Sequence, residues 1–264
     1  MKTDKKLDKT ILITGASSGI GAAAAYALAA AGARLALVAR DRARLEALAR
    51  TLPGQALVLP ADLAEPAAAE PLVAQALAGL GSLDVLIHNA GVGLAAPVAE
   101  LGPDDLSAAL AVNLYGPLRL TQAALPHMRR GGQIVFVSSV VGLRALPYLS
   151  GYAASKAALD RLSEGLRVEL RGRGIAVTLV RPGTTDTGFS QRRLGSGHER
   201  RRIRQAGVPP ERVARTIVAA VRRRPRVAYV TLADRLQILF SLCAPGLTDR
   251  LLGAAFRWEP GGKD

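Results

Sequence analysis

The chain has 264 residues, of which 49% are hydrophobic and 21% are charged, and this balance is typical of a globular protein rather than a disordered one. No uninterrupted apolar run reaches the length of about 20 residues that a membrane-spanning helix needs. The formal net charge of +14 comes mostly from arginine and would attract phosphate groups, anionic lipid or an acidic protein. We predict no nucleic-acid partner, because no aromatic residues alternate with the arginines to stack on bases and no zinc-finger spacing occurs.

The first residues, MKTDKKLDKT, predict a start without a signal peptide. They lead directly into an apolar strand, with no longer apolar region and no small-residue cleavage site. The single cysteine, Cys243, excludes an internal disulfide, which suits a reducing compartment. Together these features predict a cytoplasmic protein.

Seven apolar runs follow in the chain, and alanine-rich helical stretches separate them. The runs are apolar throughout, as expected for a parallel sheet that is covered on both faces. The sequence therefore predicts an α/β fold over residues 1–264, a single domain with a doubly wound parallel seven-stranded sheet of the Rossmann type and helices on both faces. The predicted strands are TILIT, RLALVA, ALVLPA, LDVLIH, QIVFVSS, IAVTLV and RVAYV. The predicted helices cover residues 20–31, 41–51, 66–80, 104–128, 151–172 and 209–224.

Two segments lie outside this alternation. Residues 184–208 are polar and contain glycine without a steady period, which predicts a long loop that serves as a substrate lid. The tail, residues 233–264, has an amphipathic apolar stretch interrupted by Pro245. Packing of the tail against the core or a second subunit is favoured, and membrane-surface binding stays open because arginines lie nearby.

A glycine-rich turn, TGASSGIG, directly follows the first predicted strand and opens the first predicted helix. Gly15, Gly19 and Gly21 permit a tight turn and a close approach of backbone N–H groups to a pyrophosphate. The positive end of the helix dipole adds to this attraction. The position of the turn between strand and helix predicts a dinucleotide site.

Tyr152 and Lys156 are four residues apart in a predicted helix, so both side chains project from one face. A solvent-exposed helix face often shows such pairs, and the pair alone leaves a catalytic and a surface interpretation open. A phenol with an ordinary pKa near 10 needs a neighbouring cation to act as an acid and base near neutral pH.

The ordered motifs of this chain resemble those of the short-chain dehydrogenases/reductases, and the resemblance extends to about residue 230. The matching segments are TGASSGIG at 14–21, ADL with Asp62, HNAG at 88–91, VNLYG with Asn113, VSSVVG with Ser139, YAASK at 152–156, and RPG at 181–183 with Thr187 downstream. Singly, Ser139 suits a strand end, Asn113 a helix cap and Asp62 a turn. Jointly, their order and spacing favour the catalytic interpretation.

The resemblance implies a role for each of four residues. Tyr152 would exchange a proton with a substrate carbonyl or alcohol, and Lys156 would lower the tyrosine pKa and hold the nicotinamide ribose. Ser139 would hydrogen-bond the substrate oxygen. Asn113 would lie at a break in its helix and hold a water that connects the lysine to solvent.

The resemblance also implies the cofactor contacts, and we expect no metal site. Asp62 would bond the adenine amino group, and the segment that includes Thr187 would close over the nicotinamide carboxamide. His88 receives no role, because it is expected to pack beside the fourth strand. The predicted cofactor contacts are Gly15, Ser17, Ser18, Gly19, Ile20, Gly21, Arg40, Asp62, Leu63, Asn89, Ala90, Gly91, Tyr152, Lys156, Pro182, Gly183, Thr185 and Thr187.

The residue that closes the second strand reads the adenosine ribose in dinucleotide folds, where an arginine pairs with a 2′-phosphate. Arg40 holds this position, so NADP(H) is favoured. Asp41 follows at once and keeps NAD(H) open, because a carboxylate that faces the ribose accepts from a free 2′-hydroxyl. Arg42 and Arg44 are expected on a solvated helix face.

These observations predict an NADP(H)-dependent oxidoreductase that interconverts a carbonyl and an alcohol in a small-molecule substrate. The alternative is a cofactor-binding scaffold or sensor that docks on a membrane or a protein through its arginine-rich tail. An acidic carrier protein is a further hypothetical partner for the lid. The resemblance implies a homodimer or homotetramer through the helices at 104–128 and 151–172. The expected apolar pocket contacts are Leu143, Leu146, Leu149 and Phe189.

Overall fold

The computed structural model describes residues 6–196 and 207–256. Seven parallel strands form one sheet in the order β3-β2-β1-β4-β5-β6-β7, so the predicted single-domain Rossmann-type fold is confirmed. The strands are Thr10–Thr14 (β1), Arg34–Ala39 (β2), Ala56–Pro60 (β3), Val85–His88 (β4), Gln133–Val137 (β5), Ala176–Arg181 (β6) and Val227–Tyr229 (β7).

The ends of the described helices lie within three residues of the predicted ones, apart from the longest prediction and the tail. They are Gly19–Ala30 (α1), Arg42–Thr51 (α2), Ala69–Leu80 (α3), Pro103–Leu110 (α4), Gly116–Ala124 (α5), Ser150–Glu169 (α6), Pro210–Arg223 (α7), Leu232–Cys243 (α8) and Pro245–Ala255 (α9). A short 3-10 turn at Pro66–Ala68 precedes α3, where the sequence predicted one continuous helix.

Two hydrophobic layers cover the faces of the sheet. On one face α1 and α7 pack together, with Leu28 and Ile217 completely buried. On the other face α3, α5 and α6 pack on the strands through side chains that include Leu72, Leu120 and Leu159. Because both faces are covered, the strands are apolar throughout, which is the pattern that made them recognisable in the sequence.

The strand order reverses at β1, which has β2 on one side and β4 on the other. The chain leaves β1 toward one face of the sheet and leaves β4 toward the other, so a crevice opens beyond their carboxyl ends. The glycine turn after β1 and the segment Asn89–Gly91 after β4 meet at this crevice.

The predicted helix 104–128 is not continuous. One wide π-helical turn, Ala111–Tyr115, separates α4 from α5. Pro117 has no N–H and therefore cannot donate to the carbonyl of Asn113 four residues earlier, which explains a break at this position. The expectation that Asn113 lies at a helix break is confirmed.

The tail forms two helices that meet at an angle of 114° at Pro245. Within the described residues no single helix is both long and apolar enough to cross a membrane, although α8 and α9 together have a sufficient length and composition. The predicted lid, 184–208, is tied at its described ends by bridges of Thr185 to Val208 and of Leu94 to Leu194. Residues 197–206 of the lid and 257–264 of the tail lie outside the described residues.

Candidate active site

The glycine turn places the amino end of α1 at the crevice. Gly15 has a φ of +67°, a conformation that disfavours other residues. At Gly21 a Cβ would lie 2.0 Å from the carbonyl oxygen of Gly15, so no side chain is accommodated there. The turn therefore brings bare backbone to the start of a helix, where the N–H groups and the dipole favour an anion. This cradle fits the pyrophosphate of a dinucleotide.

Asn89 and Thr14 fasten this turn to β4. The Asn89 side-chain amide donates to the carbonyl oxygens of Thr14 and Gly15, at 2.9 and 3.3 Å. The Thr14 hydroxyl accepts from the backbone N–H groups of Asn89 and Ala90, both at 3.0 Å. Asn89 thus acts in this structure by shaping the loop. Thr14 is missing from the predicted set, because a threonine at a strand end is common and gives no signal of its own.

Tyr152, Lys156 and Ser139 converge at the carboxyl ends of β5 and β6. Lys156 is 3% exposed, and its Nζ lies 5.8 Å from the centroid of the Tyr152 ring and donates to the carbonyl oxygen of Val137 at 3.2 Å. The Ser139 hydroxyl accepts from the N–H of Val141 at 3.3 Å. The three side chains that the sequence placed in one catalytic group therefore lie in one site.

Burial dominates the electrostatics of this group, and the effect of Lys156 on the tyrosine pKa stays a prediction. Burial raises the pKa of the Tyr152 phenol above its usual value, while Arg193 and a hydrogen bond with Ser139 oppose the rise. The pKa of Lys156 is lowered to about 8 by its own burial, against the attraction of Asp160. In this structure Arg193 is thus the cation that lowers the tyrosine pKa. The sequence placed Arg193 in the lid without giving it a role.

Asn113 lies behind the catalytic group and is completely buried. Its Oδ1 accepts from the N–H of Val92 at 2.8 Å, and its Nδ2 donates to Val92 and Ser155, both at 2.9 Å. These hydrogen bonds join three elements: the π-helical turn, α6, and the loop that follows β4. Both N–H groups of the side-chain amide donate to protein atoms, so neither is free to bind a water. The expected role of Asn113 in holding a water stays a prediction.

The adenosine end of the crevice holds Arg40 and Asp62, whose side chains form an exposed ion pair at 3.8 Å. Asp41 caps α2 by accepting from the N–H of Arg44 at 3.0 Å, and its carboxylate also pairs with the Arg44 guanidinium at 3.2 Å. Asp41 is thereby held by the helix end. Arg44 is exposed, as expected, and it also lines the crevice, whereas Arg42 is outside the lining.

The crevice is a cleft of about 690 Å³, and it collects almost the whole predicted set. Among the predicted apolar contacts, Leu143 is outside the lining, whereas Leu146, Leu149 and Phe189 belong to it. The predicted catalytic and cofactor residues that line it are Gly15, Ser17, Ser18, Gly19, Ile20, Gly21, Arg40, Asp62, Leu63, Asn89, Ala90, Gly91, Ser139, Tyr152, Lys156, Pro182, Gly183, Thr185 and Thr187.

The tail forms a wall of this cleft, which the sequence did not predict. Asp234 lies directly over Gly183, where a Cβ would be 2.1 Å from the carboxylate. Gln237 and Ile238 of α8 and Leu251 and Leu252 of α9 also line the cleft. The sequence carries little information on where the tail packs, because its pattern is irregular and its position depends on contacts with distant parts of the chain.

His88 packs as predicted. Its ring stacks on Phe136 with 4.8 Å between centroids, and its Nε2 lies 2.8 Å from the Thr121 hydroxyl. Burial lowers the pKa of His88 to about 3, so the ring is neutral at physiological pH. The described residues contain no group of three metal-ligating side chains.

Residues 9–195 match the sequence profile of a family described as short chain dehydrogenase. A protein of Bos taurus named dehydrogenase/reductase SDR family member 7B is 35% identical over 267 residues, covering 94% of this chain and 82% of the relative. The chain therefore belongs to the short-chain dehydrogenase family, and it is an oxidoreductase that acts on CH–OH or C=O groups.

Two solved structures share the fold and were determined with a nicotinamide dinucleotide. A short chain dehydrogenase from Burkholderia cenocepacia in complex with NADP is 35% identical with a TM-score of 0.73, covering 85% of this chain and 93% of its own. A short chain dehydrogenase/reductase from Burkholderia phymatum in complex with NAD is 25% identical with a TM-score of 0.83, covering 93% and 96%.

Proposed function

We propose that the protein is an NADP(H)-dependent carbonyl reductase or alcohol dehydrogenase in which Tyr152 is the general acid and base. The observation that supports this most is the convergence of Tyr152, Ser139 and Lys156 in one cleft with the glycine turn. The substrate oxygen would lie between the Tyr152 phenol and the Ser139 hydroxyl. This arrangement is typical of proton transfer to an oxygen that gains negative charge.

The raised pKa of Tyr152 keeps the phenol protonated at neutral pH, so the resting site can donate a proton. In the reductive direction the C=O electron pair moves to oxygen, which takes the Tyr152 proton as the new C–H bond forms. Arg193 and Ser139 stabilise the phenolate that remains. When bound, the reduced nicotinamide supplies the hydride for the carbonyl carbon.

The residues that would hold the cofactor are grouped by its parts. The glycine turn would bind the pyrophosphate, Asp62 and Leu63 the adenine, and Lys156 the nicotinamide ribose. Pro182–Thr187 would cover the carboxamide. Each of these groups lines the same cleft, which supports one extended dinucleotide site.

The preference for NADP(H) rests on the charge at the adenosine end. Arg40, Asp41 and Arg44 line the cleft there, and the Asp41 carboxylate is engaged as the cap of α2. Two cations and an occupied carboxylate favour a 2′-phosphate over a free hydroxyl. Arg40→Asp should switch the preference from NADPH to NADH, and the ratio of kcat/KM for the two cofactors measures this change. An unchanged ratio would reject this assignment.

A homodimer or homotetramer in the cytoplasm is part of the proposal. The helices expected at the interface expose Tyr115 beside α5 and Val168 on α6, each an apolar surface that a second copy would cover. Light scattering of the purified protein tests the assembly. A monomer at micromolar concentration would refute it.

The activity itself is tested with the purified wild type, NADPH and a panel of ketones and aldehydes. Consumption of NADPH that depends on a carbonyl compound is expected, with one alcohol formed for each NADPH oxidised. Tight binding of NADPH without turnover of any carbonyl or alcohol would instead favour the scaffold alternative.

A further inference from the structure

The tail helices have an inverted distribution of polar and apolar residues. Their inner side includes Ser241 and Thr248, which are nearly buried and line the cleft. Their outer side holds seven of the eleven exposed large hydrophobic residues among those described, each 46–68% exposed. A soluble surface rarely shows such a cluster without a partner that covers it. The seven residues, which we call the tail face, are Leu232, Leu236, Leu239, Phe240, Leu242, Leu247 and Leu251.

The geometry of the two helices suits a surface rather than a membrane span. With 12 and 11 residues, α8 and α9 are each roughly 17 Å long, about half of the 30 Å hydrocarbon core. The chain bends by 114° between them, so the two helices do not form one straight segment that is long enough to cross the hydrocarbon core. Such a bent apolar pair lies along an interface with one side immersed.

The charge around the tail face selects an anionic occupant. Arg235 and Arg250 are the exposed cations of the two helices. Of the two acidic residues in the pair, Asp249 forms an ion pair with Arg144, and Asp234 lies over Gly183 in the cleft rather than on the tail face. The whole chain has a net charge of +14, which attracts it to an anionic bilayer.

The tail face is continuous with the cleft. Phe240 and Leu251 belong to the face and also line the cleft, and Ile238 and Leu252 continue the apolar wall inward. Further along the cleft the Phe189 ring lies 5.8 Å from the Tyr152 ring. An apolar path therefore leads from the exposed surface to the tyrosine.

We propose that the tail face docks the protein on an anionic lipid bilayer and that an apolar, lipid-like carbonyl or alcohol enters the cleft from it between α8 and α9. The docking part stands without any activity. The substrate part rests on the proposed function, because it names the substrate class of the same site.

Docking is tested with the full chain and two kinds of vesicle, phosphatidylcholine alone and phosphatidylcholine mixed with phosphatidylglycerol. Sedimentation with the mixed vesicles is expected, and added salt should weaken it. Leu236→Gln and Leu239→Gln should each reduce the partition coefficient about tenfold, because each removes one leucine from the lipid. The control Val98→Gln changes an even more exposed apolar residue outside the tail face and should bind like wild type.

Both leucines are about half exposed, so their replacement should preserve folding, which circular dichroism checks. Equal binding of wild type and the double variant Leu236→Gln/Leu239→Gln would overturn the docking proposal. So would a dimer that the double variant dissociates while neither protein binds vesicles, since the tail face would then contact a second copy.

The substrate part is tested with methyl ketones of increasing chain length. In wild type kcat/KM should rise with chain length, and mixed vesicles that hold the long ketone should sustain its turnover. The double variant should lose turnover of the vesicle-held ketone several-fold and keep its activity on a short, water-soluble ketone. An equal kcat/KM for short and long chains would overturn the substrate class, while vesicle binding without any turnover would refute the proposed function and leave docking intact.

Discussion

Arg181 and Asp160 form a buried ion pair that joins β6 to α6. The Nε and Nη2 of Arg181 donate to one carboxylate oxygen of Asp160 at 3.1 and 2.8 Å. Asp160 is fully buried, and Arg181 is 6% exposed. Because β6 leads into Pro182 and α6 contains Tyr152, the pair fixes the two walls of the cleft relative to each other.

Removing Arg181 alone should cost much of the stability. Arg181→Met leaves the Asp160 carboxylate buried without its partner, and we expect a loss of about 3–5 kcal/mol in the free energy of unfolding. Urea unfolding measures it. The matched control is Arg161→Met, which removes a surface pair with Glu164 at 2.8 Å and should cost less than about 1 kcal/mol. Equal costs for the two variants would contradict this account of the buried pair.

Lys156 should destabilise the cofactor-free protein at neutral pH. Its pKa is about 8 in the folded chain and 10.5 in the unfolded one, so the cost of burying the charge is present below pH 8 and disappears as the pH rises to 10.5. We expect Lys156→Met to raise the free energy of unfolding at pH 7, because the buried charge is removed. The expected gain is about 1–3 kcal/mol, since the lost hydrogen bond to Val137 offsets part of it. Turnover should disappear in this variant.

The pH dependence separates this mechanism from a general packing effect. The difference between Lys156→Met and wild type should shrink from pH 8 to pH 10.5 in denaturant titrations. Lys9→Met, at a partly exposed lysine, should show a small difference with little pH dependence. If Lys156→Met stays more stable than wild type by the same free energy of unfolding from pH 8 to pH 10.5, the buried charge is not the cause.

Arg44 should contribute to recognition of the 2′-phosphate. Arg44→Leu removes one of the two cations at the adenosine end, and we expect the Kd for NADPH to rise about tenfold with a small effect on NADH. Fluorescence titration measures both. The control is Arg42→Leu, two residues earlier on the same helix and outside the cleft lining. It should leave both dissociation constants unchanged. A matched loss of NADH affinity in Arg44→Leu would indicate damage to α2 instead.

Gly21 should tolerate no side chain. A Cβ there would meet the Gly15 carbonyl and the Asn89 amide, so Gly21→Ala should shift the turn and weaken the binding of either dinucleotide more than tenfold. Gly172→Ala is the control, because nothing lies within 4 Å of its Cβ position. Calorimetric titration with NADPH compares them. Wild-type affinity in Gly21→Ala would mean that the turn does not approach the cofactor.

The fold followed closely from the sequence because local and global signals agree in it. Each strand is an unbroken apolar run, and each crossover helix is bounded by glycine, proline or a capping residue such as Asp41. The break at Asn113 was expected from the family resemblance, and Pro117 supplies its local cause. The site residues were predicted from the family resemblance; several follow strand ends, which a parallel sheet brings to one edge, whereas Tyr152 and Lys156 lie on α6.

The missed features depend on contacts between distant parts of the chain. Arg193 acts on Tyr152 across 41 positions, and Asp160 meets Arg181 only when α6 packs on β6. The tail was predicted as amphipathic, but which of its sides faces the cleft is set by packing. The effect assigned to Lys156 stays a prediction; the dominant influence of burial on the pKa of both groups was missed, because burial has no local sequence signal.

In the proposed function, Tyr152 transfers the proton in a nicotinamide-dependent reaction. The most direct measurement is carbonyl-dependent oxidation of NADPH by wild type and Tyr152→Phe, with NADPH affinity measured in parallel. We expect kcat to fall at least about a thousandfold in the variant while the Kd for NADPH changes less than threefold. Turnover at the wild-type rate by Tyr152→Phe would contradict the account.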